Sequence, residues 1–341
     1  MKRKKVEARP KILYTSHTAN FQKFNRPLMR MMSGQGWEVH YASAGEEEIL
    51  DCDETFVVDF ARNPFRFDRH IKAYRQMRRI LAKHKYEIIH THTPVGGAIT
   101  RLAARRARRG GTRVIYTAHG FHFYRGAPLL NWLLWYPAEK ILANYCDVLI
   151  TINKEDFERG KRKLKTDVRY VPGVGVDPAK FQIKMSKKER NDLRASLGLE
   201  PDDFVMIYVA EINKNKNQAG LLRQKAEMIR SDRKNHILLV GRDYSRGAVA
   251  RLARSLRIAN NVHFLGYRND VPQLLKISDL YISTSKREGL GLNVIEAKVA
   301  GLRAEVSDTR GHRDIFSTKN IKTFSVELCT AEMVQIYEVG K

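Results

Sequence analysis

Ser283-Thr-Ser-Lys-Arg-Glu-Gly-Leu-Gly-Leu-Asn-Val-Ile-Glu296 decides the fold. It opens as the end of an apolar strand, passes through a loop at Glu288-Gly289-Leu290-Gly291 and continues into a helix. Glycine lets the backbone approach a ligand closely. The free N–H groups at the helix start, with the helix dipole, suit a phosphate. Glu296 lies in the early turns of that helix, where a carboxylate can accept hydrogen bonds from sugar hydroxyls, while Glu288 stays in the loop near the phosphates. A glycine loop with a solvated glutamate is the plainer reading of a lone G-x-G; the whole run is far more specific.

Working outward, short apolar runs rich in β-branched residues alternate with helical stretches. Strands are expected at Lys11–Ser16, Trp37–Ala42, Phe56–Asp59, Glu87–His92, Arg113–Ala118 and Asp147–Ile152. Helices are expected at Pro27–Gln35, Asp68–His84, Val95–Arg109 and Leu129–Tyr145. The rhythm breaks at Val171-Pro172-Gly173-Val174-Gly175-Val176-Asp177-Pro178, a linker by its glycine and proline content, and then restarts. Strands at Phe204–Ala210, His236–Val240, Val262–Leu265 and Leu280–Thr284 follow, with helices at Lys187–Leu197, Asn217–Arg230 and Gly291–Ala300. Such alternation predicts βαβ units with parallel sheets. The expected architecture is two doubly wound, Rossmann-like α/β domains facing each other across a cleft, with ligands beyond the carboxyl ends of the strands.

The 341 residues agree with two domains. Hydrophobic residues at 43% and charged residues at 29% give a globular composition and exclude general disorder. Cys52, Cys146 and Cys329 form no C-x-x-C pair, which argues against a disulfide framework or a structural zinc site and fits a reducing compartment. The basic stretch Met1–Arg9 lacks the long apolar core of a signal peptide, and nowhere do eighteen apolar residues run together, so a cytoplasmic protein is expected. A formal net charge of +25 predicts an anionic partner: nucleic acid, an anionic membrane face or a phosphorylated substrate.

The run Glu288 to Glu296 resembles the E-x7-E motif of family-4 glycosyltransferases, which have the GT-B fold. Val209–Gln218, His263–Gly266, Asp270-Val271, Ser278–Leu280 and Thr309–His312 match the nucleotide-sugar domain of that family in order and spacing. His90–Gly97, Tyr116–Tyr124, Asn131–Leu134, Asp147–Asp156 and Val171–Asp177 resemble its capsular and exopolysaccharide branch. The resemblance implies an acceptor-binding domain over 1–177, a nucleotide-sugar domain over 178–318 and a terminal helix over 319–341 that packs back toward the first domain. It implies a retaining transfer from a nucleoside-diphosphate sugar, expected to be a UDP-sugar, to a lipid-linked saccharide acceptor, without a metal or other cofactor. Glu296 would bind the ribose, Glu288 would sit near the donor sugar and diphosphate, and the amides around Gly289, Leu290 and Gly291 would hold phosphate oxygens. Lys216 would neutralise the leaving diphosphate, and His119 would stand near the reacting carbon.

A metal-free site makes physical sense, because breaking the glycosidic bond pushes negative charge onto the diphosphate and something cationic must be preorganised there. His90 and His92 end a strand at the expected cleft without a third ligand beside them, so no metal is assigned to them. Gly96 and Gly97 are expected to let a loop pass close to donor or acceptor. Two basic stretches, Arg66–Lys83 and Arg101–Arg113, carry few acids and contain no recognisable nucleic-acid module, so no nucleic acid is expected. Leu129–Tyr136 is apolar and tryptophan-rich, which suits either a packed core helix or the headgroup layer of an anionic membrane. The latter would make the enzyme peripheral on the inner membrane face.

Three features depart from the family pattern. After Ile315 a strand–helix block of several tens of residues is expected and not found, so the second domain is expected to be incomplete, with an uncovered sheet edge. Arg303 replaces a usual proline, and Glu305 puts a charge into an expected buried strand. These departures motivate an alternative: a non-catalytic relative that keeps the fold.

Overall fold

The computed structural model describes residues 9–339; the first eight residues, and with them most of the basic Met1–Arg9 stretch, lie outside. The chain divides into two compact units, residues 9–174 with 326–339, and residues 175–325.

The first unit is built on a parallel sheet of β1 (Lys11–Thr15), β2 (Glu38–Ser43), β3 (Glu54–Val57), β4 (Ile88–His92), β5 (Arg113–Ala118), β6 (Val148–Thr151) and β7 (Asp167–Tyr170). Their order is β3-β2-β1-β4-β5-β6-β7. Its helices are α1 (Gln22–Gly34), α2 (Phe67–Lys83), α3 (Pro94–Ala103), α4 (Arg105–Arg109), α5 (Leu129–Leu142) and α6 (Lys154–Lys163). The single helix expected over Val95–Arg109 is two, broken at Ala104. Helices cover both faces, so the central strands are apolar on both sides. Leu13, Ile89, Val114, Tyr116 and Leu149 join one core, and their neighbours Ile12, Tyr14, Ile88, Ile115, Val148 and Ile150 join the other. This is the period-two alternation of a strand. Helix α6 shows how local sequence sets an end: the Asn153 side chain accepts from the Asp156 N–H, acids open the helix and Lys161-Arg162-Lys163 close it.

The second unit is built on β8 (Phe204–Val209), β9 (Asn235–Val240), β10 (Val262–Gly266), β11 (Leu280–Ser283) and β12 (Arg303–Val306), ordered β10-β9-β8-β11-β12 and parallel throughout. Its helices are α7 (Pro178–Phe181), α8 (Lys187–Ser196), α9 (Gln218–Ser231), α10 (Ala248–Ser255), α11 (Val271–Ile277), α12 (Leu292–Val299) and α13 (Arg310–Ser317). The buried Arg194 guanidinium donates to the Ile277 and Asp203 carbonyls and to Asp279, whose carboxylate also accepts from the Val205 N–H. Asp279 therefore ties α8 to the sheet. Strand β12 is an edge strand, with Arg303 and Glu305 exposed. The expected burial of Glu305 is corrected: its carboxylate reaches solvent and pairs with Lys225 at 3.0 Å, because only one side of β12 is covered by a strand.

Helix α14 (Val326–Glu338) returns to the first unit. Cys329, Met333, Val334 and Tyr337 enter the core that also holds Leu28, Met29 and Met32 of α1.

Candidate active site

In the second sheet the chain winds from β8 outward through β9 to β10, then returns to the other side of β8 with β11. The loops after β8 and β11 therefore part in opposite directions and leave a crevice at the strands' carboxyl ends. The loop after β8 carries Lys216 and the loop after β11 carries Glu288, and Lys216 Nζ lies 2.5 Å from Glu288 Oε1. Polar side chains fix both loops. Asn213 Oδ1 accepts from the N–H groups of Asn215 and Lys216, and Asn215 Nδ2 donates to the Arg287 carbonyl at 3.1 Å. The Tyr208 hydroxyl donates to the Lys216 carbonyl and meets Ser285 Oγ, each at 2.8 Å.

Gly291 caps α12 with φ +89°, in the left-handed region that favours glycine. The loop before it lies on the first turn of α13: a Cβ on Gly311 would stand 2.6 Å from the Leu290 Cα, so only glycine fits there. Leu290 is buried, whereas Glu288 and Gly289 remain partly exposed. Glu296 is half-buried on α12. Both carboxylates act on Tyr281 of β11, whose phenol is raised first by burial, then by Tyr208, Glu296 and Glu288. His312 Nδ1 meets the Ser307 carbonyl at 2.8 Å, and its buried Nε2 has no hydrogen-bond partner. Burial pushes this imidazole down, so it is neutral near pH 7.

In the first unit, His90 and His92 share one face of β4, and their rings lie 4.2 Å apart. His92 Nδ1 and His119 Nε2 are 3.1 Å apart, and Phe21 sits edge-on to His119 at 4.8 Å. Burial lowers His119 to about 4 and, with a smaller push from His119, His90 to about 3. These imidazoles are neutral hydrogen-bonding groups, not cations. His90, expected at the acceptor or cleft, is a buried wall of a pocket that it shares with His119. It has no exposed surface, and its nitrogens are taken by the Tyr337 hydroxyl at 2.5 Å and Thr117 Oγ1 at 2.7 Å. His119 keeps partial exposure and lines a pocket with His92, Phe24, Thr117 and Thr330.

The expectation for Gly96 and Gly97 is also corrected: both are buried inside α3, not in a loop. A Cβ on Gly97 would lie 2.6 Å from the Tyr116 ring, and one on Gly96 would lie 3.2 Å from the His17 nitrogen. They bring α3 close to the ends of β1 and β5. Thr93, just before, takes φ +66°, costly for a β-branched residue.

Helix α5 divides its apolar residues. Trp132, Trp135 and Tyr136 pack on the core, while Leu129, Leu130, Leu133, Leu134 and Ile141 are exposed. Phe65, Phe67 and Ile71, at the start of α2, are exposed as well. Pro64, His70, Val95, Leu102, Trp135 and Leu142 help line an apolar pocket of about 210 Å³ among α2, α3 and α5. Among the described residues, no helix is long and apolar enough to cross a membrane.

The family model "Glycosyltransferase Family 4" matches residues 22–180, and "Glycosyl transferases group 1" matches residues 189–333. EpsD of Bacillus subtilis (strain 168), named as a glycosyltransferase, is 40% identical over 304 residues, 87% of this chain and 78% of EpsD. The chain belongs to the family-4 glycosyltransferases.

A second relative of this glycosyltransferase is the UDP-Gal:alpha-D-GlcNAc-diphosphoundecaprenol alpha-1,3-galactosyltransferase of Escherichia coli, 30% identical over 75% of this chain and 66% of that protein. HepE of Anabaena, solved in complex with UDP and glucose, shares the fold with TM-score 0.72 at 16% identity, covering 97% of this chain and 96% of that one. The enzyme is thus a GT-B glycosyltransferase of two α/β units. Several residues that shape its loops escape a sequence reading. Asn215 donates to the Arg287 carbonyl 72 positions on, and the Tyr208 hydroxyl meets Ser285 Oγ 77 positions on, contacts that no local pattern reveals. His312 falls within a quoted motif, but its contact with Gly291 appears only in three dimensions.

Proposed function

We propose that this glycosyltransferase moves a sugar, with retention at the anomeric carbon, from a UDP-sugar to a lipid-linked saccharide during cell-surface polysaccharide synthesis. The observation that carries the reading is the Lys216–Glu288 pair beside the glycine-capped start of α12, at the reversal point of the second sheet. Cleavage of the sugar–oxygen bond develops negative charge on the leaving diphosphate. Amide groups of Gly289, Leu290 and Gly291 and the Lys216 ammonium meet that charge in fixed positions, which lowers the barrier without reorganisation. Glu288 holds Lys216 in place until the diphosphate competes for it. Glu296 accepts from the ribose hydroxyls. His119, neutral through burial, serves as a hydrogen-bonding group near the reacting carbon. The scheme assigns the cationic role to Lys216 and the helix start and calls for no metal ion. The donor and acceptor named for the Escherichia coli relative support the choice of substrates.

The exposed leucines of α5, with Phe65 and Phe67, support docking on a membrane. Arg66, Arg69, Lys72 and Arg75 would meet an anionic leaflet, at about 1 kcal/mol each. The reading places the enzyme at the cytoplasmic face as a peripheral protein.

The decisive experiment incubates the protein, with and without EDTA, with a panel of UDP-sugars and an undecaprenyl-diphosphate saccharide. Transfer insensitive to EDTA is expected, together with a UDP-sugar thermal shift that Glu296→Ala abolishes. A folded protein that binds UDP and transfers nothing would favour the non-catalytic alternative. Flotation with anionic liposomes at low salt tests the membrane contact, and failure to bind rules it out.

A further inference from the structure

We propose that His40, Glu54 and His84 form a binding site in the first unit for one divalent transition-metal ion of the zinc class, distinct from the chemistry of sugar transfer. The three come from separate segments. His40 and Glu54 are direct partners across β2 and β3, and His84 is the residue that ends α2. One ligand atom from each lies within 4.8 Å of the others.

The spacing is that of metal ligands and not of hydrogen bonds. His40 Nε2 stands 3.6 Å from Glu54 Oε2, and His84 Nδ1 stands 3.8 Å from the same oxygen. Both exceed hydrogen-bond reach. Two ligands on a tetrahedral ion with bonds of about 2.1 Å lie about 3.4 Å apart, so a small contraction completes the geometry. Two imidazoles and a carboxylate are a ligand set suited to zinc, and cobalt and nickel can replace it.

His84 supplies the second argument. Its side chain is only 11% exposed, and its buried Nε2 has no hydrogen-bond partner. The nitrogen that faces Glu54 is Nδ1, beyond hydrogen-bond reach of that carboxylate, and an ion between them would bond both, while Nε2 takes no part. His40 is fully buried and already has an outer contact of the kind metal-bound histidines use: its Nδ1 meets the Tyr86 hydroxyl at 2.8 Å. Glu38 Oε1 is hydrogen-bonded to His40 Nε2 at 2.8 Å and to Lys11 Nζ at 2.7 Å, so the ion would replace the His40–Glu38 hydrogen bond and water would fill the fourth position. For the ion to take the Nε2 lone pair, the imidazole presents Nδ1–H to the Tyr86 hydroxyl instead of Nε2–H to Glu38. Glu54, 39% exposed, provides the way in from solvent. The bound ion would pin the short edge strand β3 to β2 and to the end of α2.

Protein stripped with EDTA is titrated with zinc chloride by calorimetry and thermal unfolding, and with cobalt chloride by absorbance. One equivalent of zinc, a raised melting temperature and a tetrahedral cobalt spectrum are expected. His84→Gln and Glu54→Gln should each weaken zinc by at least ~10-fold and remove the thermal shift. Tyr86→Phe, which keeps every ligand, should weaken it by about 10-fold, a readout that stands even if a ligand variant folds poorly. His236→Gln, in a close histidine pair of the second unit, should leave binding intact; His236 Nδ1 lies 3.0 Å from His263 Nε2. Zinc binding that is absent in the parent, unchanged in His84→Gln and Glu54→Gln, or lost in His236→Gln alone overturns the proposal.

Discussion

The two sheets reverse direction in the same way and fill the reversal point differently. In the first unit, between β1 and β4, Gly96 and Gly97 press α3 onto the strand ends, and the neighbouring histidines, of which His119 is partly exposed, are neutral. In the second, between β8 and β11, an ammonium and a carboxylate stand partly open to solvent beside a left-handed glycine. Topology alone therefore creates an opening but not a chemistry. The second unit keeps its charges where a leaving anion can meet them, and the first holds its polar groups uncharged.

The sharpest way to break this contrast is Lys216→Ala. If the ammonium meets the leaving diphosphate, turnover should fall by about 10²- to 10³-fold, or ~3–4 kcal/mol of transition-state stabilisation, with little change in melting temperature. Steady-state kinetics beside calorimetry checks both. A tenfold loss or less would mean that the helix start carries the charge without it.

The next effect is on stability against pH. His119 titrates near 4 in the folded unit against 6.5 when free. Between those values the unfolded chain binds more protons, so stability present above pH 6.5 is lost as pH falls toward 4. A shift of that size is worth about 3 kcal/mol. Melting curves over this window should show the loss, and His119→Gln should lessen it, the remainder coming from His90 and His92.

Gly97→Ala should cost about 1–3 kcal/mol by overpacking. The Tyr116 ring cannot step aside, because the Arg101 guanidinium lies 3.9 Å from its centre and pairs with the buried Glu139. Denaturant unfolding checks this. The smallest effect is at the edge strand: Lys225→Ala removes the exposed pair with Glu305 and should change stability by less than about 1 kcal/mol.

What could be read from residues followed how local the determining contact was. Most strands of both sheets are runs of apolar β-branched residues, and the Glu288–Glu296 segment carries its loop and helix start within itself, so these were legible; β7, with Asp167 and Arg169 in it, was not. Gly96 and Gly97 looked like loop glycines because what they accommodate, the backbone at Ser16–His17 and the Tyr116 ring, comes from other parts of the chain. His90 looked available because its partner Tyr337 lies 247 residues on. Glu305 looked buried because the family pattern has a buried strand there, although the uncovered edge expected from the missing block is the edge on which β12 lies. The tryptophans of α5 were visible as an apolar run, but the division into a packed aromatic side and an exposed leucine side depends on where the helix rests.

The return of α14 has a consequence for biosynthesis. Tyr337 closes the polar chain through His90 and Thr117, and Met333 and Val334 fill the same core. A ribosome that has delivered residues 9–174 has therefore not delivered all of the first unit, whereas the second is a single continuous stretch. The half made first must wait for the last residues to finish its interior, so completion runs opposite to translation. A nascent chain stalled before residue 326 would present an apolar gap beside α1 to any chaperone in reach.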